Sequence, residues 1–268
     1  MTGSVLTVRS ARVVGARRLL QRKARRADQQ FLVDGPQAVR EALAAHVVRD
    51  LFVSIDATET ARELEQQARQ QGVRVHVVDS AALSSLSGSV TPQGVVALAD
   101  VVKVSISDLL SGQLLVLLDG IADPGNLGTV IRVADAAGAT GVVVSRASVD
   151  IHNDKCVRST AGSLFHLPVA VELDLLDVVT ALQSGGFQVL GTSASSDRDL
   201  NDVIDSGKLT ARTAWVLGNE AHGLSPEVAA ACNQLVRIPL YGRAESLNLA
   251  TAAAVVLYAS AREQRRAR

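Results

Sequence analysis

The chain has 268 residues, with 27 basic and 27 acidic side chains, 47% apolar content and 3% aromatic content. That allows one large domain or two ordinary ones, with cores built from Val, Leu and Ala. No uninterrupted apolar stretch approaches 18 residues and no apolar leader opens the chain, so neither a membrane span nor a secretory signal is expected. Cys156 and Cys232 lie far apart without CxxC or metal-ligand spacing, which points to small apolar packing residues in a reduced, cytoplasmic chain. The zero net charge hides an asymmetry: residues 1–40 carry nine basic against two acidic side chains, a net of +7. Such an end suits a polyanion, or a solvated basic helix.

Residues 8–27 read as a basic amphipathic helix, with Val13, Val14, Leu19 and Leu20 among arginines. Strands follow at 31–33, 51–53, 73–78 and 94–99. Between them lie a helix opened by Pro36, a polar helix over 58–71 and a short one ending at Leu86. Residues 1–100 therefore form an alternating α/β domain, and polar 101–113 reads as a linker. A second alternation fills 114–268. Its strands are expected at 114–118, 141–145, 187–192, 214–218 and 235–239, and its helices at 127–137, 154–163, 174–184, 225–232 and 246–264. Strands separated by helices imply a mostly parallel sheet.

Open α/β sheets bind ligands at the carboxyl ends of their strands. Several strand ends here are unusual. The apolar run Leu114–Leu118 leads into DGIADPGNLGTVIRVADAAG, where Asn126 sits at or near a helix N-cap and Arg132 lies two turns further in. Val189-Leu190 leads into Gly191-Thr192-Ser193-Ala194. Leu217 leads into Gly218-Asn219-Glu220-Ala221-His222-Gly223, and Ile238 into Pro239-Leu240 and then Glu245-Ser246-Leu247-Asn248. Small, glycine-rich loops at three ends, together with Asn126 and Arg132, would make a pocket. No GxGxxG or GxxxxGK[ST] follows a strand, which argues against dinucleotide and P-loop sites. No HExxH or His/Cys cluster suggests a metal, and no GxSxG elbow occurs. His152, His166 and His222 are isolated; His222 alone lies in a glycine loop.

The motifs N-x-G-x-x-x-R (126–132), L-G-x-E-x-x-G (217–223) and I-P-L…E-S-L-N-L-A (238–250) resemble, in order, the three signatures of SpoU-type RNA ribose 2′-O-methyltransferases. These belong to the SPOUT superfamily, and the likeness covers 114–262. FLVDGPQAVREAL (31–43) and TPQGVVAL (91–98) resemble a substrate-binding domain similar to ribosomal proteins that bind kinked RNA. The two-part layout is also similar to that of the methyltransferases that protect large-subunit rRNA from thiopeptide antibiotics.

The resemblance implies a parallel-sheet C-terminal domain with a deep trefoil knot, preceded by a smaller α/β substrate-binding domain. It implies S-adenosylmethionine held by Thr192, Ser193, Leu217, Gly218, Asn219, Gly223, Ile238, Leu240, Ser246 and Leu247. The catalytic positions fall on Asn126, Arg132, Glu220, Ser246 and Asn248. A guanidinium is a poor base, so Arg132 is read as a phosphate ligand and a stabiliser of the forming alkoxide, oriented by Glu220. Lys155 and Arg158 match basic family positions. With Arg17, Arg18, Arg22, Lys23 and Arg25 they would lay a path for structured RNA, rRNA ahead of tRNA. The resemblance also implies a homodimer through the knotted domain. The competing readings are a non-catalytic RNA-binding or ribosome-assembly factor that keeps the fold, and a nucleotide-binding α/β enzyme of another kind.

Overall fold

The computed structural model describes residues 4–89 and 91–267. In chain order the elements are α1 (Ala11–Arg17), α2 (Arg22–Asp28), β1 (Gln30–Asp34), α3 (Pro36–Ala44), β2 (Val48–Ser54), α4 (Glu59–Gln70), β3 (Arg74–Val78), α5 (Ser80–Leu86) and β4 (Val95–Asp100). Then come α6 (Ile106–Leu109), β5 (Leu114–Leu118), α7 (Pro124–Ala137), β6 (Gly141–Ser145), α8 (Asp154–Ser159), β7 (Val169–Leu173), α9 (Leu175–Ser184), β8 (Gln188–Thr192), α10 (Leu200–Asp205), β9 (Thr213–Leu217), α11 (Pro226–Ala231), β10 (Gln234–Val236) and α12 (Leu249–Arg266). They form two compact units. One is the chain up to Val102 with Asp150–His166; the other is Lys103–Val149 with the chain from Leu167 on. The stretch 150–166, which the sequence reading assigns to the second alternation, thus packs into the first unit.

The first unit is a four-stranded sheet in the order β1-β4-β2-β3, antiparallel except for β2 against β3. Side chains alternate between the faces of a strand, and both faces here are covered. Phe31 and Val33, Leu51 and Val53, and Val95, Ala97 and Ala99 share one core with Leu43, Leu64 and Val157. Leu32, Phe52, Val96 and Leu98 point the other way, onto Val13, Ala16, Leu19, Leu83 and Leu86. The basic segment is two short helices rather than one. A 3-10 turn (Arg18–Leu20) follows α1, and extended Gln21 (φ −95°, ψ 131°) interrupts the run before α2.

The second unit holds a six-stranded sheet, β10-β8-β9-β5-β6-β7, with every pairing parallel. All of β5 is buried. Leu115, Leu117, Val143, Val189 and Val216 pack onto Leu175, Val178 and Leu182 of α9. Fully buried Trp215 donates from Nε1 to Ser260 Oγ in α12 at 2.8 Å, and α12 lies along α7. Three elements go beyond the sequence reading: α6 inside the expected linker, strand β7, and α10. Two helices lose three or more residues at one end. In α8 the chain stops at Ser159 because Ala161 and Gly162 take positive φ (50° and 103°). In α12 it begins at Leu249 because Asn248 caps it.

Candidate functional site

Two loops leave the carboxyl ends of the neighbouring central strands β5 and β9, and they are joined along their length. Asp119 N–H donates to Leu217 O at 2.9 Å. Asp119 Oδ2 accepts from the backbone N–H and the hydroxyl of Ser225, at 2.9 and 2.8 Å. Asn219 Nδ2 donates to Gly120 O at 2.7 Å, and its Oδ1 accepts from the N–H groups of Ala221 and His222. Asn219 and Gly223 also exchange backbone hydrogen bonds, both at 2.9 Å. That turn needs glycine at 218. A Cβ there would sit 2.2 Å from the carbonyl carbon of Gly223 and 2.3 Å from Leu224 N, backbone atoms that cannot swing aside.

At the far end of these joined loops Glu220 meets Asn126. Asn126 Nδ2 donates to Glu220 Oε1 at 3.0 Å, and Ala122 N–H approaches Oε2 at 3.4 Å. Asn248 Nδ2 donates to Asn126 Oδ1 at 3.0 Å. Asn248 Oδ1 in turn accepts from Ala250 N–H at 2.9 Å, capping α12. Asn126 is not the N-cap of its own helix. Asp123 caps α7, taking the Asn126 N–H at 2.8 Å with Pro124 in the first turn, and this frees the Asn126 side chain for Glu220. Burial would raise the Glu220 pKa, but donors from Asn126 and from backbone N–H groups outweigh it and hold the carboxyl below its ordinary range. Arg132 is exposed on α7. The sequence reading pairs Glu220 with Arg132; the hydrogen bonds pair it with Asn126.

Beside Asn248 lies a cavity of about 150 Å³ between the ends of β8 and β10 and the start of α12. Of the ten residues assigned to cofactor by resemblance, Thr192, Ser193, Ile238, Leu240, Ser246 and Leu247 line it. The other four do not: Leu217 is buried in β9, and Gly218, Asn219 and Gly223 form the turn that follows it. Val236, Ala194, Ala252 and Glu245 line it as well. Glu245 stands inside the third motif, and that place in the string is the signal that could have found it. The wall is apolar with a few hydroxyls, one carboxylate and no basic side chain. A phosphate does not suit that lining. A cationic sulfonium with an apolar-faced adenine and a hydrogen-bonding ribose does. Among the described residues no group of three or more His, Cys, Asp or Glu could hold a metal, and no helix is long and apolar enough to cross a membrane.

The basic residues expected to meet RNA divide into two kinds. Arg17, Arg18, Arg22, Lys23 and Lys155 are exposed. Arg25 is not: it is 6% exposed and bonded to Asp150 through Nε (2.9 Å) and Nη2 (2.7 Å), and Nη1 donates to the carbonyls of Leu19 and Leu20. Its charge is engaged inside the first unit, so it is removed from the RNA path. Half-buried Arg158 is paired with Asp154 at 3.1 Å and Asp34 at 3.6 Å.

An all-parallel sheet whose strand-end loops bring two asparagines and a glutamate beside a cavity without basic residues defines a class: an open α/β unit with its ligand site at the strand ends, joined to a second, mixed-sheet unit. Residues 113–258 match the SpoU rRNA Methylase family, and the chain belongs to it. Residues 11–97 match the MRM3-like substrate binding domain. The 23S rRNA (guanosine(2553)-2′-O)-methyltransferase of Bacillus subtilis is 32% identical over 94% of this chain and 96% of its own length. The SpoU methyltransferase AviRb of Streptomyces viridochromogenes has a similar structure (TM-score 0.84, 32% identity, 97% of this chain and 99% of that one). So does the AdoMet-bound rRNA methyltransferase of Sinorhizobium meliloti (TM-score 0.81, 30% identity, 97% and 98%).

Proposed function

We propose that this chain is an S-adenosylmethionine-dependent RNA methyltransferase that acts on a ribose 2′-hydroxyl of structured rRNA. The observation that carries the reading is the convergence of Asn126, Glu220 and Asn248 beside the cavity lined by Thr192, Ser193, Ile238 and Leu247. The names of the relatives support large-subunit rRNA as the substrate. When bound, the cofactor supplies an electrophilic methyl group. The apolar side chains would hold its adenine, and Glu245 would face its cationic end. Arg132 would hold a phosphate next to the target ribose and offset the charge that develops on the 2′-oxygen. Asn126, Asn248 and Ser246 would fix that oxygen in line with the methyl group, where positioning does much of the work. The exposed Arg17, Arg18, Arg22 and Lys23 would guide the RNA backbone without reading its sequence.

The reading includes domains at 1–100 and 114–268 joined by 101–113, a trefoil knot formed by the strand-end loops, and a cytoplasmic homodimer. Exposed Val255 and Tyr258 on α12 (38% and 51%) support a second copy against that helix; a monomer in sedimentation equilibrium would remove the dimer. The central test is transfer of labelled methyl from S-adenosylmethionine to total rRNA, with an Arg132→Ala variant alongside. The variant is expected to bind cofactor like the wild type in calorimetry and to lose transfer about 100-fold or more. A folded wild type that binds no cofactor at millimolar concentration would leave the RNA-binding factor as the answer.

A further inference from the structure

We propose that Asn126 and Asn248 present a pair of N–H donors to the substrate, and that Glu220 is the positioning residue that fixes this polarity. This rests on the ribose methyltransferase reading above.

A side-chain amide has a donor end and an acceptor end, and its partners decide which way each faces. Here both ends of the chain of hydrogen bonds do. The Ala250 N–H can only donate, so the atom of Asn248 facing it at 2.9 Å is Oδ1. The Asn248 Nδ2 therefore faces Asn126, and the atom it meets at 3.0 Å must accept, which makes it Oδ1. That turns the Asn126 Nδ2 toward Glu220. From the other end, an ionised carboxylate can only accept, so it too demands the Asn126 Nδ2. The two arguments start from separate loops and give one answer.

Each amide oxygen thereby faces a donor of the protein itself, and each Nδ2 keeps one N–H for a ligand. The pair sits at a partly exposed surface and can reach a ligand. A group that meets two N–H donors, with Arg132 on the same helix as Asn126, is an anionic oxygen: a phosphodiester, or the ribose 2′-oxygen as it loses its proton. The Glu220 carboxylate is held by Asn126 and by Ala122 N–H, and its loop is fastened by Asn219 on Gly120 and Ser225 on Asp119. Those bonds hold it away from the role of proton acceptor. The depressed pKa agrees, since a carboxylate so stabilised is a weaker base.

The test exchanges donor and acceptor across one link. In Asn126→Asp two carboxylates face each other and a donor is lost. In the double variant Asn126→Asp/Glu220→Gln, the introduced carboxylate accepts from both Asn248 and the new amide, whose oxygen still takes the Ala122 N–H. We expect Asn126→Asp to lose melting temperature and about 100-fold in kcat. The double variant is expected to recover melting temperature while kcat stays low. Recovery of both would make the chain of amides a latch and overturn the donor role. An acidic limb in the wild-type kcat profile that disappears in Glu220→Gln would make Glu220 a base and overturn the proposal as well. A readout without turnover separates this from failure of the methyltransferase reading. The side-chain amide resonances of Asn126 and Asn248 should shift on titration with inorganic phosphate, whether or not RNA is methylated. Unmoved resonances would overturn the donor pair.

Discussion

The two units use polar residues in opposite ways. In the first, covered carboxylates take basic side chains from distant parts of the sequence. Asp50, 1% exposed, takes Arg74 at 2.8 Å and His76 at 2.7 Å, with Arg12 at 3.9 Å. Arg25 takes Asp150, and Arg158 takes Asp34. In the second unit the half-buried guanidinium, Arg212, has no carboxylate partner among the described residues. It donates to the carbonyls of Leu110, Gly112 and Gly185 and stacks 4.1 Å above the Phe187 ring. The polar convergence at its strand ends is mostly neutral amide. Burying an ion pair carries a desolvation cost that only good geometry offsets, so such pairs are committed to structure. Partly exposed amides keep free hydrogens for a ligand. Charge in the sequence is therefore a poor guide to which residues are available, and the neutral polar residues mark the site better.

The largest effect that would test this contrast is expected from Arg25→Ala. It leaves half-buried Asp150 without its cation and strips two carbonyls of their donor, a loss of about 3 kcal/mol in the unfolding of the first unit. Denaturant titration reads it directly. The pH dependence has a definite sign. Burial would raise the Asp150 pKa, but His152 and Arg25 hold it well below the ordinary carboxylate range. A depressed carboxyl contributes stability that is complete above its unfolded pKa of about 3.9 and is lost as pH falls through the acid range. Wild type should therefore weaken steeply below about pH 4, and Arg25→Ala should weaken less steeply. If the variant is as stable as wild type at neutral pH, the first unit's charges are not committed and the contrast fails.

The same contrast explains what can be read from the sequence. The apolar triplet Phe31 to Val33, or the unbroken apolar run of β5, reports burial locally, so those strands are legible. So are the three motif loops, because glycine and proline mark turns wherever they occur. Strand β7 is not: Val169–Leu173 begins just after Pro168, and its apolar run is broken by exposed Glu172. Helix α10 is six residues long and depends on a capping box between Asp199 and Asp202 rather than on a long apolar stripe. Arg25 looks like its neighbours in the sequence because its partner is 125 residues away. The Asn126 hydrogen bonds are hidden for the same reason. Glu220 and Asn248 belong with it to one set of motifs, but which of them its oxygen and nitrogen meet follows only from the loops being joined.

The smallest effect on stability is expected where the first unit's charges are exposed. Arg17 and Arg18 of the first basic turn, and Arg22 and Lys23 at the start of α2, are exposed. Replacing any one with Gln should change unfolding free energy by no more than about 0.5 kcal/mol, since surface changes away from structural features seldom do more. RNA affinity is another matter. Removing a charge that holds one phosphate should lower affinity about equally for any RNA sequence and reduce the slope of log affinity against log salt by about one. A quadruple variant measured by filter binding at several salt concentrations would separate the outcomes. A shallower slope with unchanged folding would give these four residues the RNA-facing role that Arg25 cannot have. An unchanged slope would mean that the exposed arginines of the first unit are no more available to RNA than the buried one, and that the RNA path has to be sought on other residues.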